Sequence, residues 1–330
     1  MWWTGRLARV HRVFPPIDPY ESGYLDRSDG TRLYWETAGN PAGRPALYLH
    51  GGPGGHGTVT GGYRRRFDPD GYRIIGFDQR GSGRSSPWAC DSLETLQDNT
   101  TQMMVADIEA LRERLGVTKW LVHGVSWGST LALAYAISHP ERCSAVLLYA
   151  VTSGARAEID WITAGIGVVF PEAWYRFADH VGCAESGRPV EGYAHLLRDP
   201  DPAVRAVAAD EWDRWENIHV SLGSTGPMGP FLHDDPRFRL NFATLVTHYW
   251  SQDCFLPGAQ RILDNAHRLA GIPGALLHGR RDVSGPAVTA WQLQRRWPGS
   301  ELIIEETEGH GGPLLSERAV QITNRWLTAL

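Results

Sequence analysis

The sequence predicts an α/β fold, a mostly parallel sheet with helices on both faces and an inserted helical cap. Three observations predict it. Short apolar runs rich in β-branched and aromatic residues alternate with segments of helical spacing through the first half of the chain. A long helical stretch rich in tryptophan then interrupts that rhythm, and the strand–helix alternation resumes afterwards and runs to the end.

The strand runs are Leu33-Tyr34-Trp35, Ala46-Leu47-Tyr48-Leu49, Tyr72 to Phe77, Trp120-Leu121-Val122 and Ala145 to Tyr149. Most lack the alternation of a half-exposed strand, so they read as strands buried on both faces. Helical spacing occupies Met103 to Leu115, after the cap-rich Asp98-Asn99-Thr100-Thr101, and Ser129 to Ser138. Strands separated by helices must cross over and pair in parallel, with helices covering the sheet. From about Ser153 to Leu256 the chain reads as amphipathic helices such as Ala203 to Ile218, joined by Gly/Pro loops such as Gly223 to Pro230. Gly274 to His278 and Leu302-Ile303-Ile304 then read as strands, with helices at Val288 to Trp297 and Leu314 to Leu330. The boundaries are therefore a core at 1–152 and 257–330, with a cap at 153–256. No internal repeat or low-complexity tract is present.

A chain of 330 residues with 42% hydrophobic content can bury a large core. Its formal charge of −5, with Arg64-Arg65-Arg66 as a lone basic run, does not make a nucleic-acid surface. Cys90, Cys143, Cys183 and Cys254 form no C-x-x-C pair, so no zinc or redox motif is written, and they read as reduced packing residues. The start, Met1-Trp2-Trp3-Thr4-Gly5-Arg6, carries no sustained apolar segment, and no uncharged apolar stretch reaches membrane-spanning length. The expectation is a cytoplasmic protein that takes a small-molecule or short-peptide substrate, without cofactor, metal, nucleic acid or membrane; its oligomeric state is left open.

Gly124-Val125-Ser126-Trp127-Gly128 falls between a strand and a helix, the context that makes G-x-S-x-G a nucleophile elbow. The serine sits on a tight turn, and side chains at the two glycines would meet neighbouring backbone. An acyl-transfer serine needs donors for the developing oxyanion: the amide after the nucleophile and one from the loop after an earlier strand. That loop is His50-Gly51-Gly52-Pro53-Gly54-Gly55, which assigns the oxyanion hole to the N–H groups of Trp127 and Gly52, with Gly51 as the alternative. A phosphate cradle would need a terminal Gly-Lys-Ser/Thr, which is missing.

The remaining partners should follow in the order acid, then histidine, each after a later strand. Asp282 in Gly279-Arg280-Arg281-Asp282 and His310 in Glu308-Gly309-His310-Gly311-Gly312 stand there, giving Ser126 as nucleophile, His310 as base and Asp282 as the group that orients it. His50 and His123 end strands near the site and read as structural hydrogen-bonding residues. The loop Asp78-Gln79-Arg80-Gly81-Ser82-Gly83-Arg84-Ser85 reads as the floor of the site.

These residues resemble the proline iminopeptidases, α/β-hydrolases that remove an N-terminal proline. The resemblance runs from Phe14-Pro15-Pro16 and Tyr34-Trp35-Glu36 through the Gly51 to Gly55 loop, Asp78-Gln79-Arg80-Gly81 and Ser126 to Tyr135. It continues in Trp215-Glu216, His278-Gly279-Arg280, Ala290-Trp291 and Gly309-His310. The Gly-Gly-Pro-Gly-Gly loop paired with Ser-Trp-Gly-Ser-Thr-Leu is far more specific than the elbow alone. The resemblance implies a serine aminopeptidase of the α/β-hydrolase fold, with cap carboxylates holding the substrate's α-amine and Glu216 matching the first of them. The physical need is general, since an ammonium taken out of water requires an anionic partner. The competing reading places Glu216 on a solvated helix face with Asp210, Glu211 and Asp213.

Several pocket positions depart from the family pattern. Val246 in Leu245-Val246-Thr247-His248-Tyr249 stands where the second glutamate would fall, and Thr152, Trp250 and Gly285 stand where the family carries aromatic residues or a cysteine. Gly51, Trp250, Val246 and Glu216 are thus the expected substrate-binding set. Three functions remain: a prolyl aminopeptidase, a specialised amide or ester hydrolase acting on a small-molecule or biosynthetic substrate, and a ligand receptor on a hydrolase scaffold. Epoxide hydrolases and dehalogenases put an aspartate where this chain has Ser126.

Overall fold

The computed structural model describes residues 13–184, 188–222, 229–258 and 261–329. The opening Met1 to Arg6, most of the loop at Gly223 to Pro230 and Leu330 lie outside them.

The chain begins with strands β1 (Pro19–Asp26), β2 (Arg32–Gly39), β3 (Arg44–Leu49) and β4 (Tyr72–Phe77). Helix α1 (Thr101–Arg114), strand β5 (Trp120–Val125), helix α2 (Trp127–Ser138) and strand β6 (Cys143–Tyr149) follow. The cap contributes α3 (Arg156–Thr163), α4 (Pro171–Asp179), α5 (Pro189–Leu196), α6 (Pro202–Val220) and α7 (Pro236–Ser251). The core closes with α8 (Ile262–Asn265), β7 (Gly274–Gly279), α9 (Val288–Arg296), β8 (Ser300–Glu305) and α10 (Pro313–Ala329).

The strands form one sheet in the order β1-β2-β4-β3-β5-β6-β7-β8. Pairing is antiparallel for β1 with β2 and β2 with β4, and parallel from there on. The chain passes from β4 across β3 to β5, so the connections diverge at the carboxyl end of β3, where α/β sheets open a crevice. The loops after β3, β5, β7 and β8 meet there. Every predicted strand is present, and all but β8, whose Leu302-Ile303-Ile304 run is half-buried, bury the apolar run that marked them. Strand β1 was not predicted. It is an edge strand with Tyr20 and Tyr24 exposed, so no apolar run marks it.

Two apolar layers flank the sheet, one including Leu47, Trp120, Val122 and Leu131, the other Phe67, Tyr72, Leu121 and Trp326. The first continues into the cap through Trp212, Trp215, Leu245 and Tyr249. Cap and core are also pinned by polar contacts. Asn241 on α7 donates from Nδ2 to Gly81 O at 2.8 Å and accepts from the Cys90 amide at 3.1 Å. The Tyr249 hydroxyl donates to Asn99 Oδ1 at 2.7 Å, and the Trp161 indole on α3 to Val283 O at 2.8 Å.

The cap returns to the core through a turn in which Asp253, Cys254 and Phe255 all have positive φ, at 49°, 54° and 55°. Left-handed backbone costs a non-glycine residue about 1–2 kcal/mol. Contacts to α1 and α3 hold it: Thr101 Oγ1 donates to Cys254 O at 2.6 Å, and Arg156 pairs with Asp253 at 2.6 Å. The turn sets Cys254 into the wall of the cavity over Ser126.

Candidate active site

Ser126 occupies the sharp turn between β5 and α2, with φ 56° and ψ −124°. Such backbone is disfavoured and persists only where its surroundings fix it. Here the Ser126 amide donates to Tyr149 O at 2.9 Å, and Ser126 O accepts from the Ser129 amide at 2.7 Å and from Thr152 Oγ1 at 3.0 Å. The elbow glycines are required by space: a Cβ on Gly124 would lie 2.1 Å from Gly128 O, and one on Gly128 would lie 2.1 Å from Leu49 O.

The hydroxyl of Ser126 lies 2.9 Å from His310 Nε2, and His310 Nδ1 lies 2.8 Å from Asp282 Oδ2. The other Asp282 oxygen accepts from the Gly285 amide at 3.0 Å. Residues from three distant loops thus form one hydrogen-bonded line. Burial pushes the Asp282 carboxyl up, but His310 and the Gly285 amide outweigh that effect and hold it below the usual carboxylate range. For His310 the loss of water opposes protonation, yet Asp282 outweighs it and raises the ring above its ordinary value, with Glu216 adding to the rise. A base raised in this way takes up the serine proton readily and holds it as imidazolium beside a fixed anion.

The loop carrying His310 is braced from two sides. The Tyr149 hydroxyl accepts from the Gly312 amide at 2.9 Å, while Glu308 accepts from the Leu314 and Leu315 amides at 2.7 and 2.8 Å, capping α10. His123 is fully buried, its Nδ1 3.1 Å from Leu147 O, and burial pushes its pKa down to about 3. It is a neutral structural residue, as is His50.

Trp127 is the first residue of α2, so its amide has no intrahelical acceptor. Gly52 lines the cavity with Ser126, and Gly51 does not. Gly51 instead sits behind the nucleophile, where an added Cβ would lie 3.2 Å from Ser126 Cβ. Of the two alternatives for the second oxyanion donor, this arrangement favours Gly52.

The cavity above Ser126 measures ≈ 80 Å³ and is roofed by cap residues including Ile159, Ile162, Glu216 and Trp250. Glu216 is only 6% exposed, so it does not sit on a solvated face; its neighbours Asp210 and Glu211 instead pair with Arg239 and Arg176. Its Oε1 accepts from the Trp212 indole at 3.1 Å, and burial, reinforced by Asp213, pushes its pKa up to about 7. Trp250, Thr152 and Gly285 also line the cavity, whereas Val246 is wholly buried in the apolar layer and does not reach it.

Sequence reasoning missed two polar features of the wall. Glu158 on α3 is a second acid, half-buried, but it accepts from the Ser153 and Ala155 amides at 2.9 and 3.2 Å and from Thr289, leaving it occupied with capping its own helix. It lies three residues after the N-cap Ala155 and makes only the glutamate half of a capping box; an alanine N-cap lacks the Ser/Thr of that signature, so no sequence signal marked it. Ser284 was also missed; its hydroxyl lies 2.9 Å from Nδ1 of the buried His219, one helical turn beyond Glu216 on α6. Among the described residues, no group of three or more His, Cys, Asp or Glu is placed to hold a metal ion, and no helix is long and apolar enough to cross a membrane.

A strained serine after a parallel strand, a histidine and an acid on later loops, and a helical cap define a class. The α/β hydrolase fold family model matches residues 45–316, and the chain is an α/β-hydrolase. It belongs, more closely, to the proline iminopeptidase family. It is 43% identical to a probable proline iminopeptidase of Streptomyces coelicolor, over 93% of this chain and 95% of that one. To the proline iminopeptidase of Arabidopsis thaliana it is 41% identical, over 96% of this chain and 82% of the relative. In fold it is similar to the crystal structure of a proline iminopeptidase from Mycobacterium smegmatis, with TM-score 0.61 and 16% identity over 94% of this chain and 99% of that one.

Proposed function

We propose that the protein is a serine aminopeptidase that releases an N-terminal proline or similar residue through an acyl-enzyme. The carrying observation is that buried Glu216 shares one small cavity with Ser126 and His310, so a free α-amine and the carbonyl beside it can be held together. Family membership supports the same reading. In this mechanism Ser126 Oγ attacks the carbonyl carbon of the first residue while His310 Nε2 takes the hydroxyl proton. The tetrahedral oxyanion is met by the amides of Trp127 and Gly52. Collapse breaks the scissile C–N bond, and the leaving amine takes the proton from His310. Water, deprotonated by His310, then hydrolyses the acyl-enzyme and frees the amino acid.

Glu216 supplies the anionic partner for the ammonium. Its pKa near 7 means the empty site is partly protonated at neutral pH, and a bound ammonium favours the carboxylate form. Binding of α-amino substrates therefore strengthens as pH rises through about 7, beyond the change common to all substrates that follows His310. Glu216→Gln should lower kcat/KM for proline arylamide by about 1.5–3 kcal/mol of transition-state binding while leaving neutral esters unchanged. An equal loss on both substrate classes would make Glu216 structural and remove the main support for the aminopeptidase reading.

One observation favours the second reading, a specialised amide or ester hydrolase. The cavity wall carries a hydroxyl pair, Thr130 Oγ1 to Thr152 Oγ1 at 2.8 Å, together with Ser284. Such a wall suits an acyl group with polar substituents. Steady turnover of any substrate would exclude the receptor reading as the sole role.

A further inference from the structure

We infer that Gln79 is the positioning residue that holds both donors of the oxyanion hole in register, through a single buried side-chain amide. The inference rests on the reading of Ser126 as an acyl-transfer nucleophile, and not on the identity of the acyl group. Gln79 follows β4 and has no exposed surface. Its Oε1 accepts from the Trp127 indole Nε1 at 2.9 Å, and its Nε2 donates to His50 O at 2.9 Å. The orientation of the amide is unambiguous, because an indole N–H can only donate and a carbonyl can only accept. One group therefore ties the residue that follows the nucleophile to the residue that opens the glycine loop.

The backbone of Gln79 extends the same device. Its amide donates to His50 Nε2 at 3.0 Å, which leaves the ring proton of the neutral imidazole on Nδ1. Burial keeps His50 neutral, in agreement. Nδ1–H then donates to Gly51 O at 2.8 Å, and the Gly55 amide reaches the same oxygen at 3.2 Å. In a trans peptide the C=O and the following N–H point to opposite sides of the chain. With Gly51 O drawn towards His50 and Gly55, the Gly52 N–H is turned the other way, and Gly52 borders the cavity with Ser126. The preceding residue anchors the far end of the loop: Asp78 Oδ1 accepts from the Thr58 amide at 2.5 Å and from Thr58 Oγ1 at 2.7 Å. Gln79 is itself fixed, its carbonyl accepting from the Ser82 amide at 3.1 Å and Ser82 Oγ at 2.9 Å.

The test compares an aryl ester with its thionoester, in which sulfur replaces the carbonyl oxygen. Sulfur is larger and a weak acceptor, so a well-aligned oxyanion hole favours the oxygen ester. Gln79→Met keeps the approximate shape but removes both the acceptor for the Trp127 indole and the donor to His50 O. It should lower kcat on the oxygen ester by about 10²-fold with KM within about threefold, and shrink the oxygen-to-sulfur rate ratio at least about tenfold. Trp127→Phe, which removes the indole N–H along with part of the buried ring, should shrink the same ratio to a smaller degree and serves if the first variant fails to fold. A ratio unchanged in a folded variant, even with lower stability or a slower kcat, would overturn the inference. Because neutral esters are used, failure of the α-amine reading leaves this result interpretable.

Discussion

Ser126→Ala should abolish covalent labelling by a fluorophosphonate and lower turnover by about 10⁶-fold, the scale of losing the nucleophile of a serine triad. The fold should survive. The elbow is held by backbone bonds from Ser126 to Tyr149 and Ser129, none of which uses the side chain, and the hydroxyl's own partner is His310. Alanine also tolerates the same backbone at no greater steric cost than serine. Intact-protein mass spectrometry after labelling reads the outcome directly. An adduct of unchanged yield on the variant would place the nucleophile elsewhere.

Asp282→Asn should cost about 10³–10⁴ in kcat, because an amide donor facing Nδ1 would favour the wrong tautomer of His310. The pH profile adds a second reading. Asp282 raises the His310 pKa, and the base must be unprotonated to accept the serine proton, so activity is lost as pH falls through that raised value. Removing the negative charge lowers the His310 pKa, and the acid limb of kcat/KM for a neutral ester should move to lower pH. Glu216 also acts on His310, so one other carboxylate is near enough to matter. A loss under about tenfold with an unmoved acid limb would show that another carboxylate orients the base.

The triad was legible because each member sits at the end of an apolar strand, and strand order fixes which loops converge. Ser126, Asp282 and His310 are separated by long stretches of chain, yet each follows β5, β7 or β8 directly. The helical stretch between β6 and β7 was legible from a change of period, since α3 to α7 carry helical spacing where strands had stood. The edge strand β1 was not legible, because one face is exposed and the other only half-buried, leaving Leu25 as the lone aliphatic contact with the core and no apolar run.

Side-chain destinations in the cap were harder to read, and the acids of α6 show why. Asp210, Glu211, Asp213 and Glu216 look alike in sequence, but Glu211 faces Arg176, Asp213 is buried against His233 at 2.5 Å, and Glu216 faces the cavity. What separates them is the rotation of one helix against its neighbours, which no local pattern fixes. Val246 shows the converse: a position that the family resemblance marks for substrate binding lies in the apolar layer, outside the cavity lining. Gln79 was hidden differently, inside a loop rich in hydrogen-bonding residues, and its role depends on two partners far along the chain, His50 and Trp127.

The most direct measurement is the wild-type kcat/KM for proline arylamide against the same compound acetylated on nitrogen. Acetylation removes the ammonium and leaves the scissile amide unaltered but adds bulk on nitrogen, so the share of the ratio that Glu216→Gln erases is what the cap carboxylate contributes. The free-amine substrate should be preferred by about 10–150-fold, the factor equivalent to a hydrogen bond to a charged group, and Glu216→Gln should erase most of the preference. Equal rates on the two compounds, or hydrolysis confined to neutral esters, would contradict the aminopeptidase reading.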